Sequence, residues 1–137
     1  MSNSDLLLKR ANQSLRSAEL LSKEGDTEAA ASRVYYACFY TAQALLANLG
    51  LKFARHGQVI AQFGFHFSKT QLLDPRFHKL LSETFELRWM ADYQVEVSVD
   101  PEVVSGLIPE CREFITAASR YLEGLEKTSS EGSEGET

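Results

Sequence analysis

Apolar residues recur along most of the chain at steps of three and four, the spacing of one face of an α-helix, and this pattern divides it into five segments. The first runs from Asp5 to Lys23 with Ser4 as N-cap, and Leu8, Ala11, Leu15, Ala18 and Leu21 form its stripe. Gly25 ends it. A second segment starts at Thr27, taken as N-cap, and runs to Leu49 before Gly50, with Ala31, Val34, Cys38, Ala42, Leu45 and Leu49 on one face. The third, from His56 to Lys69, carries Val59, Ile60, Phe63 and Phe67 and contains Gly64, a poor residue for a helix interior. Asp74-Pro75 supplies the N-cap and first position of the fourth, which continues through Phe77, Leu80, Leu81, Thr84, Phe85 and Arg88 to Tyr93.

Between Gln94 and Val99 the period changes to two, as Val95, Val97 and Val99 alternate with polar residues. A single extended segment has no partner strand, so it is expected as a loop pinned across the bundle by its valines. Asp100-Pro101 then opens a fifth helix with the cleanest stripe: Val104, Leu107, Ile108, Cys111, Phe114, Ile115, Ala118, Tyr121, Leu122 and Leu125. The pattern predicts an all-α, antiparallel up-and-down bundle of about five helices over residues 1–126. Residues 127–137 form an acidic tail in which nothing after Lys127 is apolar, and disorder is expected there.

Length and composition narrow the class. The 137 residues suit one domain with a single core, and no apolar run approaches the roughly 18 residues of a membrane span. The N-terminus lacks the basic and apolar regions of a secretory signal, which predicts a cytoplasmic location. Cys38 and Cys111 lie at apolar helical positions in no zinc spacing, so both are expected as buried free thiols.

The net charge of -5 opposes nonspecific nucleic-acid binding by the whole surface, but it is unevenly spread. Residues 50 to 80 hold Lys52, Arg55, Lys69, Arg76 and Lys79 against Asp74 alone, and all three histidines, His56, His66 and His78. Either a phosphate-facing patch or a solvated basic face fits that. There is no glycine-rich phosphate loop, nucleophile elbow or His-Glu-x-x-His zinc helix, so no cofactor and no metal are expected. His66 and His78 would need a third ligand from elsewhere.

Tyr35, Tyr36, Phe39 and Tyr40 place four aromatics within six positions, and consecutive helical residues diverge by about 100°, so they cannot share one core. Tyr35 and Phe39 are expected inside, with Tyr36 and Tyr40 on a second surface that is either a dimer interface or a platform for bases.

Ser32-Arg33-Val34-Tyr35-Tyr36-Ala37-Cys38-Phe39, the later Arg88-Trp89-Met90-Ala91-Asp92-Tyr93 and, between them, Arg55-His56-Gly57 resemble blocks of the HEPN domain family, in its UPF0332-like prokaryotic branch. The resemblance covers most of residues 5 to 125. It implies a helical bundle, a homodimer and frequent pairing with a small nucleotidyltransferase encoded next door. Many members are metal-independent ribonucleases, some of them the toxins of toxin–antitoxin pairs. Their motif is an arginine followed four to six residues later by a histidine, shared across a cleft between subunits.

Cleavage of RNA by its own 2'-hydroxyl needs a group that manages a proton and a fixed cation for the charge growing on phosphate. Arg88 matches the motif's arginine, whose planar fork suits phosphate oxygens. Asp92, Tyr93 and Gln94 occupy the next positions, so the motif histidine is absent. The candidate catalytic set is therefore Arg88, Asp92, Tyr93 and His56, and the candidate nucleotide or RNA contacts are Arg33, Tyr36, Tyr40 and Arg55. Arg88 and Asp92 also stand at i,i+4, where an ion pair on the helix surface is the plain alternative. Two functions follow as expectations: a nucleotidyltransferase partner in a toxin–antitoxin-like module that binds RNA or nucleotide with weak ribonuclease activity, or a dimeric scaffold that recruits such a partner without touching RNA.

Overall fold

The computed structural model describes residues 1–94, 96 and 98–135, the side chains of 129–135 excepted. Five α-helices, α1 (Asn3–Lys23), α2 (Thr27–Asn48), α3 (His56–Phe63), α4 (Arg76–Tyr93) and α5 (Pro101–Gly135), form the bundle, with no strand among the described residues. The all-α bundle expected from the pattern is what forms.

The helix bounds follow the apolar periodicity closely, and the caps less so. Ser2, not Ser4, caps α1: its hydroxyl accepts from Asp5 N and the Asp5 carboxylate accepts from Ser2 N, a reciprocal capping box. Ser4 is buried instead and donates to Ala44 O at 2.8 Å, which ties the start of α1 to the end of α2 and sets the two antiparallel. Asp26, not Thr27, caps α2 by accepting from Ala29 N. The left-handed Gly50 (φ +76) lies just beyond that helix as expected, but Leu49 is exposed rather than part of the stripe. Asp74 and Asp100 each accept from the backbone N–H two residues on, at Arg76 and Glu102; Pro101 opens α5 as its Asp-Pro step predicts, whereas Pro75 stands at the cap of α4, one position before its first residue.

Helix α2 lies at the centre and packs against α1, α3, α4 and α5. Its small residues Ala30, Ala31, Ala37, Cys38, Ala42 and Ala44 are completely or almost completely buried, so backbones approach it from several sides. A second part of the core is aromatic: Phe114 stacks on Phe77 with centroids 5.0 Å apart and meets Phe63 at 5.4 Å. Cys38 and Cys111 are free and fully buried between α2 and α5, with Sγ atoms 3.1 Å apart, and burial pushes the Cys38 thiol well above its ordinary pKa.

The third helix departs from the pattern. It holds α-helical geometry only to Phe63, then passes through a turn of π-helix, Gly64–Ser68, closed by Lys69 N donating to Gly64 O. A Cβ on Gly64 would fall 2.6 Å from His78 Nε2, so this glycine serves the close approach of α4. His78 Nε2 sits 3.1 Å from Ile60 O.

Val99 is buried, whereas Val95 and Val97 lie outside the described residues, so the pinned loop is visible only at its end. The other difference is at the C-terminus. Where disorder is expected after residue 126, α5 continues to Gly135. Extending an existing helix costs far less than starting one, so the backbone of α5 can run on into a polar sequence.

Candidate functional site

The four α2 aromatics separate as their spacing requires. Tyr35 and Phe39 face inward and are buried, while Tyr36 and Tyr40, one position on at each turn, are half-buried at the surface. Their rings still touch, with Tyr35–Phe39 at 5.6 Å and Tyr36–Tyr40 at 5.8 Å.

The start of α3 brings His56 onto this cluster. Its ring stacks on Phe39 at 4.4 Å and 14°, lies parallel to Tyr35 and meets Tyr36 edge-on. The Tyr35 hydroxyl and His56 Nδ1 are 2.5 Å apart. Burial raises the Tyr35 pKa strongly, partly opposed by the Arg88 charge, so the phenol keeps its proton. With no other partner for that proton, Tyr35 donates to Nδ1 and leaves the imidazole hydrogen on Nε2. Burial, with the Arg88 charge second, also lowers the His56 pKa, which makes the ring neutral at pH 7. His56 is therefore a hydrogen-bond donor through Nε2 rather than a free base.

Helix α4 adds Arg88. Its guanidinium carbon lies 5.6 Å from the Tyr35 ring centroid and 5.1 Å from that of Tyr36, and Arg33 approaches the same Tyr36 ring at 5.0 Å. Arg88 Nε lies 3.2 Å from an Asp92 oxygen, the i,i+4 pair that the spacing allows. That approach lacks hydrogen-bond alignment, and Nε is a buried donor with no hydrogen-bond partner. The proximity and the missing bond are compatible, because Coulomb attraction tolerates angles that a hydrogen bond does not.

Arg88, Asp92, His56, Tyr36 and Arg33 thus come together, with Tyr35 and Phe39 beneath them and Tyr40 against Tyr36. Tyr93 does not join them. Five positions after Arg88, it lies about 140° further round α4, is 66% exposed and packs on Trp89 at 5.6 Å. Arg55 caps α3 without a side-chain bond and is exposed beside His56 in sequence. Tyr35 is the functional residue that the sequence assigned only to the core. Its contact with His56 joins positions 21 apart, and only the shared Ser-Arg-x-Tyr-Tyr block hinted at a role for it.

A half-buried cation held over two tyrosines beside a neutral histidine can grip an anion and offer it an N–H donor. The fold that carries this cluster is an all-α helical bundle. Over residues 4–123 the chain matches the model of the HEPN domain, and it belongs to that family. It is 34% identical over 119 residues to a UPF0332 protein of Thermotoga maritima, which covers 87% of this chain and 90% of that one. A UPF0332 protein of Gloeobacter violaceus is 38% identical over 117 residues, covering 85% of this chain and 93% of its own. A Methanocaldococcus jannaschii protein bearing the name "putative toxin" is 29% identical over 119 residues, covering 87% and 88%.

Proposed function

We propose that this HEPN protein is one member of a toxin–antitoxin-like module, the partner of a small nucleotidyltransferase, and that it binds RNA or nucleotide through Arg88. The toxin names of two relatives support the module. The observation that carries the binding is the partly exposed guanidinium of Arg88 held above Tyr35 and Tyr36 beside His56, its Asp92 contact an ion pair without a hydrogen bond. The guanidinium is partly exposed, and its planar fork suits phosphate oxygens.

Strand cleavage through this site is slow. His56 offers Nε2–H as a donor while Tyr35 occupies its Nδ1, so the site lacks the free imidazole base of the family's motif. Trp89 and Tyr93, both exposed on α4, support a homodimer in which that face is covered. The Arg88–Asp92 contact favours a second reading, in which Arg88 is a surface ion pair and the protein is a scaffold for its partner. Expression of wild type and Arg88→Ala at matched levels separates the two. Growth arrest relieved by Arg88→Ala supports the phosphate site, and arrest of equal strength in both overturns it.

A further inference from the structure

The cations beside Tyr36 do not end at Arg33. A cleft of about 280 Å3 between α1 and α2 is lined by Arg10, Gln13, Ser14, Ser17, Arg33 and Tyr40. Arg10 also lines a second cavity of about 220 Å3, together with Asn3, Gln43, Lys52 and Phe53 and the buried Leu46 and Val59. Each basic residue therefore shares a hollow or a ring with the next: Lys52 with Arg10, Arg10 with Arg33, and Arg33 with Arg88 through Tyr36.

Three further features point to what lies along this line. Among the described residues no carboxylate lines either hollow, although the chain's net charge is -5. Lys52, Arg10 and Arg33 make no ion pair among the described residues, unlike Arg76 and Arg112. Each step along the line also carries an aromatic ring: Phe53 lines the cavity of Lys52 and Arg10, Tyr40 the cleft of Arg10 and Arg33, and Tyr36 meets both Arg33 and Arg88. Cations interleaved with rings are the chemistry of single-stranded nucleic acid, since cations hold phosphates and rings stack on unpaired bases of any identity.

We infer that Lys52, Arg10 and Arg33, with Phe53 and Tyr40, form a track for the flanking nucleotides of a single-stranded RNA whose central phosphate sits at Arg88. This extends the binding proposed above and rests on it for the site at Arg88. The track reads backbone and base faces, so it carries length preference rather than sequence preference.

Fluorescence anisotropy with labelled oligouridylate tests it, using a trimer that reaches only the Arg88 end and a dodecamer that spans the track. Arg10→Gln combined with Lys52→Gln should weaken dodecamer binding tenfold or more in 50 mM salt and leave the trimer within about twofold, because each lost phosphate contact also removes about 0.7 from the log–log salt slope. Arg10→Lys with Lys52→Arg should restore the dodecamer, and a duplex of equal length, whose bases are hidden, should bind more weakly. Both residues are exposed, and Lys52→Gln alone, in the loop after α2, gives the same contrast at half strength should the pair unfold. An unchanged dodecamer affinity, or equal losses at both lengths, overturns the track. If Arg88→Ala affects neither length while the pair of glutamines weakens the dodecamer, the track stands and the Arg88 site falls. Wild type that binds neither RNA sinks both.

Discussion

Replacing Tyr35 by Phe removes one oxygen from the middle of the site and changes almost nothing else. The ring is fully buried against Tyr36, Phe39, Phe85 and His56, and a phenylalanine keeps those contacts. What is lost is the hydroxyl bond to His56 Nδ1, worth about 0.5–1.5 kcal/mol net. His56 is only half-buried, so water can reach part of its freed edge, and the cost should stay near 1 kcal/mol. For a domain of this size that lowers the melting temperature by about 2–5 °C.

A second consequence is read on the imidazole itself. Burial and then the Arg88 charge hold the His56 pKa down and both remain, but donation from the phenol to Nδ1 also favours the neutral ring, so its removal should move the ring's NMR titration upward while leaving it below the ordinary 6.5. The sign follows from linkage. A histidine whose folded pKa is depressed contributes stability that is fully present above the unfolded value of 6.5 and is lost as pH falls through that value toward the folded pKa. Tyr35→Phe should therefore lose less stability than wild type between pH 7 and the folded pKa. Identical melting and an unmoved His56 titration would show that the bond is not made in solution, and a loss above about 3 kcal/mol would mean that the ring is displaced, beyond one hydrogen bond.

Gly64→Ala puts a methyl against His78 and should destabilise by about 1–3 kcal/mol through overpacking, read in a urea melt; a neutral result would mean that His78 swings away freely. Deleting residues 128–137 should leave the melting temperature within about 1 °C, because this stretch has no apolar side chain to bury; a drop of many degrees would show that the end of α5 docks. Both thiols should resist a water-soluble disulfide reagent until the protein unfolds, since Cys38 and Cys111 are fully buried and burial holds Cys38 in its thiol form; fast labelling of the native protein would contradict that burial.

The fold was legible because the stripe of α5 and the small residues of α2 are repeated signals: eight α5 positions at helical spacing from Val104 to Leu122 are buried. Single-residue signals were weaker. Ser2 and Ser4 are equally good caps by type, and the choice was made by Asp5 standing three after Ser2 and by Ala44, forty residues on from Ser4. Gly64 looked like an interruption because its true neighbour, His78, is fourteen positions away. At the site, Arg88 with Asp92 was visible as an i,i+4 pair, and Tyr36 with Tyr40 as an outward pair on α2. Contacts between elements were not. Tyr35 with His56 and Arg33 with Arg88 across one ring join different elements, and Arg10 shares a cavity with Lys52 of the loop after α2; periodicity is silent about such meetings.

The central claim is that Arg88 is kept for an anion rather than for the fold. Its contacts give up little on removal: the partly exposed Asp92 pair is worth about 0.3–0.5 kcal/mol, and each ring contact about 0.5–1. Removing a buried Nε that makes no hydrogen bond offsets part of this. Arg88→Ala should accordingly melt within about 1 kcal/mol of wild type while binding short RNAs or adenine nucleotides more weakly by about 1.5–3 kcal/mol, the scale of a charge-assisted hydrogen bond. Titrating the two proteins side by side decides it: a weaker variant of equal stability is the predicted result, and equal affinities would remove Arg88 from the site.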